Sequence, residues 1–432
     1  MSAPDAAAPL EIERAQALIL ERARPLGVER VALARARGRY LAEPLVAEAD
    51  MPPFRSSAMD GFALRHEDTP GVVELIGEAA AGAPFNGVVG PGQGVVISTG
   101  AVVPQGADAV VPVEWVASQR AEAARREAAR GGTRLEVPRA VPRDYSIRAA
   151  GSDVRRGSLV LAPGVRLGAV ELAAAASLGR CSLLCSRRPT VALLATGSEL
   201  QAPGRRLGPG QIYDSNGPLL AAALRDAGAR VKVLRRAGDT PQAHRAALAE
   251  ALSHDVVLTT GGVSVGGHDL VRESAAALGV RELFWRVALR PGKPLSFGVY
   301  ARAGASSDTL VFGIPGNPVS VLVCFELFVR PALRALQGAG RPLPSFTRRP
   351  LAAAVSRNAE RVEMIRVRET AAGTLEPLTT QQSHQLALAA GADGLARIPR
   401  GAGTLPEGTK VDYLPLRDPS SPPASSDQGA GG

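Results

Sequence analysis

The chain has 432 residues, which is too many for one compact hydrophobic core, so about three domains are expected. A hydrophobic content of 45% with no apolar run near the ~18 residues of a membrane span excludes a transmembrane class. The net charge of +9 indicates anionic partners, but the basic residues are interspersed with acidic ones and aromatics make up only 4%. Nucleic-acid binding is therefore disfavoured, and an anionic small molecule is favoured.

The three cysteines, Cys181, Cys185 and Cys324, are too few and too loosely spaced for a disulfide framework or a metal motif. They indicate a reducing compartment, and we expect a cytoplasmic protein. The N-terminus begins Met-Ser-Ala-Pro-Asp, without the basic and apolar regions of a signal peptide.

The first part of the chain is predicted to combine helices with an all-β segment. Apolar spacing predicts an amphipathic helix over Leu10–Arg24 and a second helix over Val31–Leu41. Residues 46–115 alternate short apolar runs with Gly and Pro, which predicts β-structure. Residues 118–132, rich in Ala, Arg and Glu, are expected to form an exposed helix or loop.

From Pro189 onward, predicted strands alternate with predicted helices. The strands are Val191–Ala195, Arg230–Arg235, Val256–Leu258, Glu282–Leu289 and Leu310–Phe312. The helices are Pro218–Ala227, Pro241–Leu252, Leu270–Leu278 and Pro318–Leu336. This alternation predicts a parallel sheet with helices on both faces. Residues 339–348 are expected to be a linker, residues 349–416 a small β domain, and the rest a disordered tail.

The strand Val256–Leu258 opens into a glycine-rich loop that is a candidate binding site. Its small and hydroxyl residues are Thr260, Gly261, Gly262, Ser264 and Gly266, and Asp269 closes it. Glycines let a ligand approach the backbone, and free N–H groups suit phosphate or another oxyanion. In open α/β sheets, ligands bind beyond the carboxyl ends of the strands. The alternative is an ordinary strand-to-helix turn.

Comparable loops follow other predicted strands. One contains Thr196, Gly197, Ser198 and Glu199; another contains Pro315, Gly316, Asn317, Pro318 and Ser320. Asn317 is expected to cap the helix after it, and Asp239 lies at a third junction. If the junctions share one sheet edge, Glu199, Asp239 and Asp269 can hold Mg²⁺ that bridges phosphate. Alternatively, Asp239 is a plain N-cap and Glu199 a solvated turn residue.

Three cations lie close together in Arg286, Arg290 and Lys293. In one strand, Arg286 and Arg290 would face the same side, with Lys293 at the strand end, which suits an oxyanion. The alternative is a solvated strand face. In the first half of the chain, Asp60 and Thr99 lie in two polar turns that, taken alone, are ordinary hairpin turns.

Taken together, these segments resemble the MoeA family, whose module also forms the E domain of gephyrin. The resemblance spans residues 8–416 in order. The segments that carry it are Ser57-Ala-Met-Asp-Gly-Phe-Ala, Thr99-Gly-Ala-Val-Val-Pro-Gln-Gly-Ala-Asp, Gly151-Ser-Asp153, Ala195-Thr-Gly-Ser-Glu-Leu, Thr260-Gly-Gly-Val-Ser-Val-Gly, Arg290-Pro-Gly-Lys-Pro and Gly313-Ile-Pro-Gly-Asn-Pro-Val-Ser.

The resemblance implies a multidomain α/β and β fold. A discontinuous helical and mixed domain (8–45 and 151–187) would be interrupted by an inserted β-rich domain (46–150). An α/β domain of the MogA/MoaB type (188–338) and a C-terminal β barrel (339–416) would follow, with a disordered tail at 417–432. Family members are homodimers with a cleft between the α/β domain of one subunit and the N-terminal part of the other.

The resemblance also implies an activity: insertion of molybdate into adenylylated molybdopterin, with Mg²⁺ required and AMP and molybdenum cofactor released. Matching positions imply catalytic roles for Asp60, Thr99, Glu199, Asp239, Asp269, Arg286 and Arg290. They imply substrate contacts for Asp153, Lys293, Arg361, Ser383 and the loops around Gly261 and Gly316. Many relatives carry lysine at Arg286 and Arg290, which keeps the charge but not the geometry. The insertion at 118–132 is expected to lie away from the cleft.

Partners implied are a second copy of the chain and, transiently, the molybdopterin adenylyltransferase and cofactor-accepting enzymes. No nucleic-acid or membrane partner is expected. Three alternatives stay open: a receptor-binding scaffold like gephyrin, an enzyme that adenylylates molybdopterin, and a paralogue that inserts tungstate. Intact Glu199, Asp239 and Asp269 favour a retained activity, and an adenylylating enzyme would not need residues 46–150 or 349–416.

Overall fold

The structure, a computed structural model, describes residues 8–116, 132–234, 240–261, 270–302, 304 and 307–417. The chain forms two compact units. One comprises Met1–Ala42, Pro163–Gly168 and Ser182–Gly432, and the other comprises Glu43–Ala162 and Ala169–Cys181. The predictions for residues 118–131 and for the tail after residue 417 lie outside the described residues, and the four-domain division stays a prediction.

The described α-helices are, in chain order, α1 (Ile12–Arg22), α2 (Ala169–Ser177), α3 (Asn216–Asp226), α4 (Pro241–Ala251), α5 (Leu270–Ala277), α6 (Pro318–Cys324), α7 (Arg330–Leu336) and α8 (Leu386–Ala389). Short 3₁₀ turns cover Leu33–Arg35, His66–Asp68 and Val113–Trp115, and a π-helical segment covers Phe325–Val329.

The strands of the first half are β1 (Val28–Ala32), β2 (Leu45–Val46), β3 (Ser56–Ser57), β4 (Gly61–Leu64), β5 (Gly71–Ala79), β6 (Gln93–Ile97), β7 (Ala109–Pro112), β8 (Thr133–Val137), β9 (Ile147–Arg148), β10 (Leu159–Leu161), β11 (Ser182–Ser186), β12 (Thr190–Ala195), β13 (Leu200–Gln201) and β14 (Ile212–Tyr213). Those of the second half are β15 (Arg230–Val233), β16 (Val256–Thr260), β17 (Arg281–Trp285), β18 (Leu289–Arg290), β19 (Ser296–Tyr300), β20 (Thr309–Ile314), β21 (Thr347–Pro350), β22 (Val355–Ser356), β23 (Val362–Glu369), β24 (Leu375–Pro377), β25 (Gly394–Ile398), β26 (Thr404–Leu405) and β27 (Lys410–Pro415).

The first unit is built around a six-stranded sheet in the order β15-β12-β16-β20-β19-β17. The four strands from β15 to β20 are parallel, as predicted, but β19 and β17 run antiparallel. The prediction of an all-parallel sheet was therefore wrong at this edge. The connection from β19 to β20 is too short to carry a crossover helix, which a parallel pair requires.

The parallel strands β12, β16 and β20 are buried on both faces, which explains their continuous apolar sequence. Val191, Leu193, Val256 and Leu258 pack in one cluster with residues of α1, α3 and the helices after β20. Their neighbours along the strands, including Leu194 and Val257, pack in a second cluster with residues of α4 and α5. Successive side chains of each strand point to opposite faces of the sheet, so they pack against two different layers of helices.

The predicted helix Pro318–Leu336 is helical throughout but widens at the π segment. Pro331 lacks an N–H group and cannot donate to the carbonyl of Leu327, four residues before it. The side chain of Gln16 on α1 donates to that carbonyl oxygen instead, at 2.9 Å. The proline therefore accounts for the widened turn, and α1 supplies the missing donor.

The predicted helix over Val31–Leu41 was wrong. Strand β1 occupies Val28–Ala32 and pairs antiparallel with β11, and the 3₁₀ turn follows it. Gly38 then adopts a φ of 75°, which ends any right-handed helix there. Pairing with a strand more than 150 positions later is not visible in local periodicity.

The second unit contains a five-stranded sheet, β7-β4-β6-β5-β8, in agreement with the predicted all-β segment. Its two faces pack apolar clusters that include Phe62 and Leu64 on one side and Ala63 and Val95 on the other. A separate six-stranded sheet, β18-β23-β25-β27-β21 with β24 on β23, forms the C-terminal part of the first unit. Its strand β18 comes from the segment between β17 and β19.

Candidate active site

A cavity of about 620 Å³ lies where β12, β16 and β20 end side by side. It belongs wholly to the first unit. Its lining comprises Thr196, Glu199, Leu200, Ile212, Tyr213, Ser215, Asn216, Thr260, Gly261, Gly316, Asn317, Pro318, His384, Gln385, Leu386 and Ala387. The carboxyl ends of parallel strands are where α/β sheets bind ligands, and the volume suits a nucleotide-sized molecule.

The floor of this cavity is made by the ends of two neighbouring strands. Thr196 donates from its backbone N and its Oγ1 to the carbonyl oxygen of Thr260, at 3.0 and 3.1 Å. Gly261 follows with a φ of 82°, and a Cβ atom there would lie 2.6 Å from the Thr196 carbonyl oxygen. Glycine is therefore required at position 261 for both conformation and space.

Asn216 was not among the predicted site residues, and its side chain links two segments of the floor by hydrogen bonds. Its Nδ2 donates to Gly316 O at 2.6 Å and to Thr260 Oγ1 at 3.2 Å. The side chain is 7% exposed, and its Oδ1 is buried without a hydrogen-bond partner. Because the contact to a carbonyl oxygen needs a donor, the amide orientation is fixed by chemistry. Asn216 follows the exposed strand β14, and no motif in the sequence marks it.

Glu199 is the described member of the predicted carboxylate trio. It is exposed at the cavity, two residues after Gly197, whose φ is 140°. Ser198 is also exposed in this turn, beyond the cavity lining. Asp239 and Asp269 lie outside the described residues, as do Gly262, Ser264 and Gly266, so their convergence with Glu199 stays a prediction. Among the described residues, no three His, Cys, Asp or Glu side chains gather into a metal-binding group.

Asn317 does not cap α6 with its side chain, so that prediction was wrong. Its Nδ2 donates instead to Ser383 Oγ at 3.0 Å, while the carbonyl oxygen of Ser383 accepts from Val319 N at 3.0 Å. The structure thus places Ser383 beside Asn317 and Pro318. Pro315 accepts from Thr260 Oγ1 at 3.5 Å, and Ser320 is buried in α6.

Residues 380–385, which carry Ser383 and His384, are held by a buried cation. Arg366 is 0% exposed and donates to the carbonyl oxygens of Gln385, Thr380 and Gln382, at 2.8, 2.7 and 3.2 Å. Gln381 also exchanges hydrogen bonds with the backbone of Arg366. Arg366 therefore supports one wall of the cavity. Nothing in the sequence of β23 indicated that this arginine is buried.

The predicted strand that carries Arg286 and Arg290 is divided between two sheets. Arg286 has a φ of 79° and interrupts the strand, so it does not share a face with Arg290 as predicted. Its guanidinium carbon lies 3.8 Å from the ring centroid of Trp285. Arg290 belongs to β18 and pairs with Glu363 at 2.9 Å. Lys293 is exposed beyond the end of β18.

Arg361 begins the strand region of β23, where its backbone N donates to Asn358 Oδ1 at 2.9 Å. Its Nε is buried without a partner. None of the four cations lines the cavity as it stands. Their predicted contacts with an oxyanion remain predictions.

In the second unit, the structure brings two predicted site residues together. Thr99 donates from its backbone N and its Oγ1 to Asp60 Oδ1, at 2.7 and 2.9 Å. Thr99 is exposed and Asp60 is half-buried. Asp153 is exposed in another turn, where its backbone N donates to Met51 O at 3.0 Å. The contact could not be predicted because positions 60 and 99 are far apart in sequence. It forms because the start of β4 lies beside the end of β6.

Fold and cavity define a multidomain protein with a ligand site at the edge of an α/β sheet, accompanied by separate β-rich parts. Three family models match the chain in order. They are the MoeA N-terminal region (domain I and II) over residues 10–179, the "Probable molybdopterin binding domain" over residues 192–335, and the MoeA C-terminal region (domain IV) over residues 348–416. The chain belongs to the MoeA family.

Two relatives and one solved structure support this assignment. Molybdopterin molybdenumtransferase 2 of Mycobacterium tuberculosis is 35% identical over 420 residues, which cover 94% of this chain and 98% of the relative. Molybdopterin molybdenumtransferase of Staphylococcus epidermidis is 31% identical, covering 87% and 88%. The crystal structure of the molybdopterin biosynthesis MoeA protein of Pyrococcus horikoshii OT3 has a TM-score of 0.78 at 27% identity, covering 94% and 100%. The predicted family and fold class are confirmed.

Proposed function

We propose that this chain is a molybdopterin molybdenumtransferase, an enzyme of molybdenum cofactor biosynthesis. It inserts molybdate into adenylylated molybdopterin and releases AMP and molybdenum cofactor. The observation that carries the proposal is the 35% identity to a protein of that name across 94% of this chain. The cavity at the strand ends is where the substrate binds.

The described residues suit a substrate that carries phosphate. Thr196, Thr260 and Gly261 place hydroxyl and backbone groups at the cavity floor, and Gly316 lets the ligand come close to the backbone. The hydroxyl groups of Thr196 and Thr260 already donate to protein carbonyl oxygens, so these residues shape the floor. We assign the hydrogen bonds to the phosphoanhydride to Ser264 and to the backbone of Gly262 and Gly266. Asp60 and Thr99 form a preorganised polar pair that would complete the site of a second subunit.

The donor set described at the cavity fits Mg²⁺ as an accompanying ion. Glu199 presents a carboxylate at the cavity, and Mg²⁺ is commonly held by one or two carboxylates together with substrate phosphates. Asp239 and Asp269 are the further carboxylates we assign to it. When bound, the ion would neutralise charge that develops on the phosphates.

We also propose a cytoplasmic homodimer. Among the described residues, no helix is long and apolar enough to span a membrane. All three cysteines are free, which fits a reducing compartment. Helix α2 is composed mainly of Ala, Val and Leu, yet Ala175 is its one buried residue, so it offers an apolar surface to a second copy.

Anaerobic turnover tests the activity. The chain would be given adenylylated molybdopterin, Mg²⁺ and molybdate, and AMP release would be measured. We expect molybdate-dependent release that falls at least a hundredfold in Glu199→Gln and in Asp269→Asn, because a catalytic carboxylate is lost. Glu21→Gln, a change on the exposed side of α1, is the matched control and should keep full activity. Unchanged activity in both site variants would refute the assigned roles, and absence of AMP release would refute the function.

A further inference from the structure

Residues 199–214 form an arm beside the cavity that is ordered by its own hydrogen bonds. Strands β13 and β14 pair in parallel, and Ile212 N and Asp214 N donate to Glu199 O and Gln201 O, each at 2.8 Å. Gly208 N donates to Gln211 Oε1 at 2.9 Å, which closes the distal turn. The arm therefore holds its shape without a ligand.

The arm presents two large apolar side chains to solvent at the cavity. Ile212 is 56% exposed and Tyr213 is 47% exposed, and both line the cavity with Leu200. The phenol oxygen of Tyr213 donates to Arg205 O at 3.0 Å, which fixes the position of the ring. Exposed apolar surface in a ligand groove indicates that the ligand covers it, and an aromatic side chain suits a planar ring.

Asn216, which lines the same cavity, leaves an acceptor unused. Asn216 Oδ1 is buried without a partner, while Nδ2 of the same side chain is fully engaged. A buried acceptor without a partner is destabilising, so a ligand that brings a donor gains from it. Phosphate and molybdate oxyanions bring acceptors only. An occupant that carries an N–H group as well as an apolar face therefore matches this end of the cavity better than an oxyanion does.

We propose that a planar nitrogen heterocycle of the substrate lies against Ile212 and Tyr213, with its N–H edge toward Asn216. The inference rests on the proposed function, whose substrate carries two such rings, adenine and pterin. Both have a flat apolar face and amino or amide donors. Ile212 and Tyr213 are thus specificity-determining residues of the cavity.

Equilibrium binding tests the proposal without turnover. The probes are AMP, 6-hydroxymethylpterin and ribose 5-phosphate, measured by calorimetry and by displacement. In the Ile212→Ser, Tyr213→Ser double variant, we expect at least a tenfold loss of affinity for one ring probe, because stacking is removed. Ribose 5-phosphate should bind as it does to the unaltered chain. The ring probe that loses affinity identifies the heterocycle as adenine or pterin.

Two further variants separate the ring contact from collapse of the arm. Leu207→Ser also changes an exposed apolar residue of the arm, but Leu207 does not line the cavity, so binding should be unchanged. Tyr213→Phe keeps the ring and should bind within about threefold of the unaltered chain.

Three results would overturn the proposal: equal losses for ribose 5-phosphate and the ring probes, unchanged ring binding in the double variant, or no ring binding by the unaltered chain. Ring-dependent binding without molybdate-dependent AMP release would instead refute the proposed function alone.

Discussion

Asp255 shows how one residue can set the acid stability of the first unit. Its carboxylate is 2% exposed, lies 2.9 Å from Arg187 Nη2 and accepts from Thr190 N at 2.8 Å. Burial by itself would raise the pKa of Asp255, but the hydrogen bonds from Arg187 and Thr190 lower it from 3.8 to about 2. The ionised form is therefore favoured in the folded chain, and protonation favours unfolding.

From this pKa we predict the stability change in acid. The contribution of Asp255 is fully present above pH 3.8 and is lost as the pH falls through about 2. Its size is about 2 kcal/mol. Urea unfolding between pH 2 and 6 measures it: Asp255→Asn should be less stable at pH 6 and should lack this part of the pH dependence. Asp412→Asn is the control. Parallel pH profiles for the unaltered chain and Asp255→Asn would contradict the prediction.

Gly261 provides a second prediction at the scale of the residue. Gly261→Ala combines an unfavourable φ of 82° with a Cβ atom 2.6 Å from a carbonyl oxygen, so the floor of the cavity must shift. We expect at least a tenfold loss of AMP affinity. Gly210→Ala is a matched control, because its φ is 73° and nothing lies within 4 Å of the added atom. An equal loss of AMP affinity in the two variants would show that backbone strain, and not the close contact at position 261, causes the loss.

At the scale of the element, the π segment after α6 predicts that Gln16 and Pro331 are energetically coupled in unfolding. Gln16→Ala removes the donor to Leu327 O and should cost about 1–2 kcal/mol of unfolding free energy. In a Pro331→Ala background, residue 331 regains an N–H group that can donate to the same oxygen. The cost of Gln16→Ala should then fall below half, as a double-mutant cycle of urea unfolding would measure. Additive effects would contradict this explanation.

Element types followed from the sequence where local chemistry decides them. Apolar runs predicted β12, β16 and β20 because both of their faces are buried. Arg286 shows where the prediction failed. Periodicity assigned it to a continuous strand, but a positive φ divides that strand between two sheets. Asn216 and Arg366 were missed because their partners lie in other segments of the chain: Thr260 and Gly316 for Asn216, and residues 380–385 for Arg366.

At the scale of the whole molecule, the proposed homodimer can be tested at α2. Val170 is 77% exposed on this apolar helix. Val170→Glu would place a charge in the proposed contact, where its desolvation opposes association. Sedimentation should show a dimer for the unaltered chain and a weaker one for the variant, by at least tenfold in the dissociation constant. Val88→Glu, at a residue 59% exposed in the same unit, is the control. A variant that remains fully dimeric would exclude α2 from the contact.

Strand β18 has a consequence for how this chain can be divided or recombined. Its residues pair with Val362 and Glu363 of β23, although they lie between two strands of the α/β sheet in the sequence. A gene fragment that starts after residue 338 would lack this strand and leave Val362 and Glu363 at the edge of β23 unpaired, which invites aggregation. Chimeras between relatives should therefore inherit residues 286–295 and 347–416 from the same parent.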